Sequence, residues 1–215
     1  MGRAGQMISA AGVRYAAGRA GVFFGLMTGV VLSAGAAFAA SQPMITGGLT
    51  SQPIGHYDFC RLNPAECSIR SRDTGPEEMT GAMWRKIVAV NVSVNAAIKP
   101  MNDIDIYGRD EVWTYPDNGE GDCEDYVLEK RRTLNREGLK LSNLLITVVR
   151  KPDGEGHAVL TVRTSKGDFI LDNLTDAVRQ WDETGYSYLK RQSAENTGRW
   201  VTIREGQPML VGSVK

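Results

Sequence analysis

The stretch LLITVVRKPDGEGHAVLTVRTSKGDFILDN, residues 144–173, decides how this chain folds. Leu144–Val149 is a continuous apolar run of strand length. Ala158–Arg163 is β-branched and partly alternating. Asp168–Leu171 returns along it after the turn Ser165-Lys166-Gly167. Three short strands in succession, the last two joined by a tight turn, predict an antiparallel sheet. In such a hairpin the start of one strand lies opposite the end of the next. His157, just before the second strand, is therefore expected beside Asp172, at the end of the third.

The segments on either side set the fold class. Upstream, Pro76, Glu77 and Glu78 predict a helix start, with proline early and acids at the positive end of the dipole. Trp84, Ile87, Val88, Asn91, Val94, Asn95 and Ile98 then recur at helical spacing as far as Lys99-Pro100. Asn91 and Asn95 fall on the apolar side and need hydrogen-bond partners there. Residues 101–121 read as a loop, and a second helix is predicted from about Asp122 to Glu137, closed by Gly138. Downstream, Asp176–Asp182 is read as a helical turn, and Tyr186–Gln192 and Arg199–Arg204 as strands. Trp181, Tyr186, Tyr188 and Trp200 suit packing on them, while Arg131 and Arg132 suit a solvated helix face. Helices first and strands afterwards predict an α+β domain over 76–215, its N-terminal helices packed on an antiparallel sheet.

Residues 1–39 carry Arg3, Arg14 and Arg19 and no acid, then an apolar run ending in Ala37-Phe38-Ala39. That is the pattern of a secretory signal peptide. The alternative is an uncleaved anchor, since residues 20–40 are long enough to cross a bilayer. The glycines in the run and the small-residue ending favour cleavage, which leaves no integral membrane segment. Without its three arginines the chain keeps 22 basic residues against 25 acidic ones, a formal charge of −3. No basic cluster interleaved with aromatics exists, which argues against nucleic-acid binding. Residues 40–75, rich in Gly, Pro, Ser and Thr, read as an irregular segment. In an oxidising compartment Cys60 and Cys67 are expected to staple it by a disulfide. Reduced thiols, or a bridge from Cys123 to one of them, are the alternatives.

Pairing of Cys60 with Cys67 leaves Cys123 unpaired. Cys123 stands at the start of the second helix, where free backbone N–H groups and the dipole favour a thiolate and could receive an oxyanion. A histidine with a carboxylate behind it would complete the nucleophile. Asp122, Glu124 and Asp125 flank it and oppose that ionisation. Helical geometry predicts that these acids lie on the outer side, away from Cys123. There they form a hard-oxygen group suited to calcium, or they merely cap the helix.

Gly121-Asp122-Cys123-Glu124-Asp125-Tyr126, Gly156-His157-Ala158-Val159-Leu160 and Leu171-Asp172-Asn173-Leu174 resemble, in order and spacing, the signatures of the bacterial transglutaminase-like cysteine peptidases. The resemblance spans about residues 76–205. It implies a papain/transglutaminase-like core and a Cys123–His157–Asp172 triad in a secreted or periplasmic peptidase. For some members it further implies calcium on the acids matching Asp122, Glu124 and Asp125. In those members a large surface adhesin is the substrate, and an inner-membrane cyclic di-GMP receptor is the regulator. The Cys60–Cys67 segment departs from that branch. Two other activities suit the same residues: transglutaminase-type acyl transfer to an amine, and a non-catalytic binding module with Cys123 as a structural thiol.

Overall fold

The three strands predicted from residues 144–173 are all present, and they form the middle of a larger sheet. The computed structural model describes residues 42–204, so the predicted signal peptide lies outside the described residues. In chain order the elements are β1 (Ile45–Thr50), α1 (Ile54–Leu62), α2 (Pro64–Cys67), α3 (Gly81–Ala97), β2 (Lys99–Pro100), α4 (Asp103–Tyr107) and β3 (Glu120–Gly121). They continue with α5 (Cys123–Arg136), β4 (Leu144–Arg150), β5 (Gly156–Thr164), β6 (Gly167–Asp172), β7 (Thr175–Gln180), β8 (Ser187–Ser193) and β9 (Asn196–Arg204). Seven strands join in the order β1-β9-β8-β4-β5-β6-β7, every neighbouring pair antiparallel. The α+β class follows directly.

Alternation along the central strands sends side chains to both faces, and both are covered. Ala158, Leu160, Val162 and Leu171 meet α3 and α5 through Ile87, Val90, Val94, Tyr126, Val127, Leu128 and Leu134. Val149, Val159, Ile170 and Tyr188 form a smaller cluster with Met44 and Ile203 on the opposite face. α3 begins later than predicted, because Thr80 is its N-cap and accepts from the Met83 N–H. Glu77 instead pairs in parallel with Thr164. Gly138, at φ 99°, ends α5 as expected. No helix among the described residues is long and apolar enough to cross a membrane.

Two expectations need correction. Residues 40–75 are not wholly irregular, since they contain β1, α1 and α2. β1, with glycines at 47 and 48, has little intrinsic strand preference; pairing with β9 holds it extended. α1 lacks a side-chain N-cap and sits where it does because Gly55 lets Trp113 approach. A Cβ there would fall 2.3 Å from the indole. The other correction concerns Asp176–Asp182. Residues through Gln180 form β7, an edge strand whose largely exposed side chains blur the alternation, and only Trp181–Glu183 is a 3-10 turn.

A disulfide joins Cys60 to Cys67, ties α1 to α2, and encloses a separation of seven residues. A loop that short restricts the unfolded chain by about 2–3 kcal/mol. Replacing both cysteines by serine is expected to lower stability by about that amount, with a reduced midpoint in urea unfolding and a slightly steeper slope, because the unfolded chain is no longer cross-linked.

Candidate active site

Cys123 is the first residue of α5 and lines a cleft of about 780 Å3 together with His157, Gly121, Asp122, Glu124 and Asn173. The backbone N–H of Ala158, the neighbour of His157, points at its sulfur. The thiol in turn donates to Glu124 Oε2 at 3.1 Å. Burial, with Glu124 next, pushes its pKa well above the usual thiol range. In this arrangement Cys123 is a protonated thiol at the mouth of a helix dipole.

His157 and Asp172 come together as the hairpin predicts. With Leu160 opposite Leu171, Asp172 falls diagonally across from His157. His157 Nε2 lies 2.8 Å from Asp172 Oδ1, and both side chains are almost fully buried. The same oxygen accepts from the Leu174 N–H at 3.0 Å. The second oxygen, Oδ2, accepts from the Tyr186 hydroxyl at 2.6 Å. These donors outweigh burial and hold the carboxyl below its ordinary pKa. An ionised Asp172 accepts a hydrogen bond from Nε2–H, which leaves the lone pair on Nδ1.

Tyr186, which the sequence suggested only as a packing residue, thus touches both partners, its ring edge-on to His157 at 5.7 Å. Tyr186→Phe keeps that ring and deletes one hydrogen bond to a charged acceptor. It is expected to slow carbamidomethylation of Cys123 by iodoacetamide about tenfold, and to lower stability by about 1.5–3 kcal/mol because a buried carboxylate oxygen loses its donor.

The second histidine serves packing. His56 is buried between Trp113 and Trp200, whose rings lie 5.5 and 5.3 Å away. Trp200 Nε1 donates to its Nδ1 at 3.2 Å, and Gln192 Nε2 approaches its Nε2 at 3.2 Å. Burial, then the charge of Arg131, lowers its pKa to about 4. Arg131 is itself buried, donating to the Leu144 carbonyl at 3.2 Å; it does not lie on a solvated face. Asn173 lines the cleft, but Asp172 is the residue at hydrogen-bond distance from His157.

The acidic residues lie differently from the sequence expectation. Glu124 and Asp125 are buried, and Glu124 turns towards the thiol. Asp122 and Asp125 instead gather with Asp103 from α4, with one ligand atom of each within 4.8 Å of the others. Each of these three carboxylates has one oxygen fixed by a backbone N–H. Val112 donates to Asp103 Oδ2, Asp103 to Asp122 Oδ2 at 3.3 Å, and Thr114 to Asp125 Oδ1 at 2.8 Å. The other oxygen of each is buried and has no hydrogen-bond partner. Gly121 gives them room, since a Cβ there would fall 2.5 Å from Asp125 Oδ2. Burial raises Asp125 to about 8 and Asp103 to about 6, and burial with Asp122 raises Glu124 to about 9. Three converging, unsatisfied hard oxygens match the donor preference of calcium. Asp103, 19 residues before Asp122, carried no local signal. Its segment, read as a loop, in fact carries α4 and β3.

The chain was compared with known proteins. The family model described as bacterial transglutaminase-like cysteine proteinase BTLCP matches residues 46–208. No curated protein matches the sequence. Among solved structures the chain is similar to calcium-bound LapG of Legionella pneumophila, with 25% identity and a TM-score of 0.49 over 60% of this chain and 75% of that one. LapG of the same organism is also similar, with 22% identity and a TM-score of 0.48 over 70% and 80%. An EGTA-treated form gives 22% and 0.48 over 71% and 80%. With the family model covering most of its length, the chain belongs to the bacterial transglutaminase-like cysteine proteinases, a family of cysteine peptidases.

Proposed function

We propose that this cysteine peptidase acts in the periplasm or outside the cell. It hydrolyses a protein substrate with Cys123 as nucleophile, His157 as acid–base and Asp172 as the group that orients the imidazole. The 2.8 Å bond between His157 and Asp172, on the cleft that Cys123 lines, carries the reading. His157 Nδ1 takes the thiol proton as sulfur adds to the scissile carbonyl, and returns it to the leaving amine. Water then attacks the thioester, with the same nitrogen as base. Free N–H groups in the first turn of α5 face the developing oxyanion. Two further parts of the proposal rest only on the resemblance of the motifs to the family. The substrate is a large surface adhesin, and the regulator is an inner-membrane cyclic di-GMP receptor.

Calcium is the metal we assign to the acids, held by Asp103, Asp122 and Asp125. Bound there it would supply positive charge beside the helix start and offset the carboxylates that oppose ionisation of Cys123. Glu124 remains on the thiol side.

A comparison of surface and periplasmic proteins between wild type and Cys123→Ala tests the activity. A surface protein shortened only in wild type supports it, and identical patterns with and without the thiol would sink it. Acyl transfer is separated from hydrolysis by a labelled amine: incorporation without cleavage would replace water as the acceptor.

A further inference from the structure

Asp172 is also held from its backbone side, by contacts that the catalytic reading does not use. α3 carries Asn91 and Asn95 one helical turn apart, and therefore on one face. Asn91 is fully buried and Asn95 partly so. An apolar side chain at either place would fill the face without the cost of burying an amide. Both side-chain nitrogens are directed to one short segment. Asn91 Nδ2 donates to the carbonyls of Thr175 at 3.0 Å and Asp176 at 3.1 Å. Asn95 Nδ2 shares its two N–H groups among the carbonyls of Asp172 at 3.0 Å and Thr175 at 3.2 Å and Asp176 Oδ1 at 3.0 Å.

All five bonds end on the last residue of β6 and the first two of β7, on either side of the turn that joins them. The sheet register is irregular there, between Ile170 and Asp172, so the ladder alone does not set the direction of the Asp172 side chain. Lys130 reaches the same region from α5, seven residues after Cys123 and thus on the same helical face. Its side chain is fully buried and its amine has no hydrogen-bond partner; burial lowers its pKa to about 7 against the favouring charges of Asp172 and Asp176.

We propose that Asn95, backed by Asn91, is a positioning residue of the peptidase: by gripping the Asp172 carbonyl and the turn after it, α3 aims the Asp172 carboxylate at His157. The proposal rests on the triad reading above. It makes α3, which contributes nothing to the cleft lining, part of the machinery that orients the imidazole. Fixing the carbonyl of a residue fixes one of its two soft backbone angles. A carboxylate displaced by a fraction of an ångström loses its aligned bond to the ring.

The test uses the full chain labelled with 15N-histidine, in calcium buffer. With two histidines in the sequence, His157→Ala assigns the His157 imidazole N–H resonance without ambiguity. Asp172→Asn is the control for the triad, and Asn95→Leu the variant in question. Asn95→Ser is the second variant in case the first does not fold. The expected result is a His157 N–H signal lost or broadened in the Asn95 variant, with carbamidomethylation of Cys123 by iodoacetamide slowed about tenfold. Added to Asp172→Asn, the same change should slow it no further, because Asn95 acts through that carboxylate. An unchanged signal with a rate within about twofold of wild type would overturn the proposal, as would losses that add in the double variant. If Asp172→Asn itself leaves both signal and rate intact, the triad reading has failed, and the proposal falls with it.

Discussion

Cys123→Ala is expected to lose cleavage of the substrate by about 10⁴-fold or more, and His157→Ala by a similar factor, because nucleophile and base act as one unit. Their losses should not add. Asp172→Asn differs in kind. Its amide oxygen still accepts from His157 Nε2–H, so a residual rate survives, and the expected loss is nearer 10²-fold (about 2.7 kcal/mol). Initial rates of substrate shortening by the purified proteins measure all three. Equal losses in all three variants would mean that the charge of Asp172, and not its acceptor oxygen, is what His157 requires. A Cys123→Ala protein that still cleaves would remove the residue from the chemistry altogether.

The second large effect is that of calcium on stability. With the metal chelated, Asp103 and Asp125 have folded-state pKa values of about 6 and about 8, above the ordinary carboxylate value of 3.8, because burial disfavours their charge. The folded chain then binds more protons than the unfolded one between pH 4 and pH 8. Its stability is therefore greatest on the acid side of that window and falls as pH rises through it. Calcium should abolish that slope. At a free concentration about 1,000 times its Kd, it adds about 4 kcal/mol, or about 10 °C of Tm for a domain of this size. Thermal scans across pH with chelator, then with calcium restored, measure both. The same slope in the two series would show that the three acids do not hold the ion.

The sequence made the fold legible where the signal is local and repeated. Strands β4 to β6 are apolar or β-branched over lengths that only a buried sheet explains, and α5 has a stop at Gly138 that few other contexts use. β1 and β7 were hidden for the opposite reason. Glycines in one and an exposed face in the other leave no pattern, and only their neighbours hold them extended. The candidate site divides in the same way. Cys123 stands out by exclusion and by position, and His157 and Asp172 are linked through a single tight hairpin. Asp103 reaches Asp122 and Asp125, and Tyr186 and Asn95 reach Asp172, from distant parts of the chain. Nothing near them in sequence marks their targets. The arc argument for the acids also failed at its edge: an ideal helix does not describe the residue before its first turn, and Glu124 rotates to the thiol.

The sheet order also bears on when the molecule can be finished. β1, the first strand described, completes its pairing only against β9, the last, with Ile45 opposite Arg204. A chain emerging from its N-terminus could assemble β4 to β7, and with them His157 and Asp172, from contacts close in sequence. The outer edge would stay open until the final strand arrives. Long-range closure of this kind is the slow step of β topologies and exposes an unpaired strand meanwhile. Maturation of this protein should therefore be limited by the meeting of β1 and β9 rather than by formation of its catalytic hairpin.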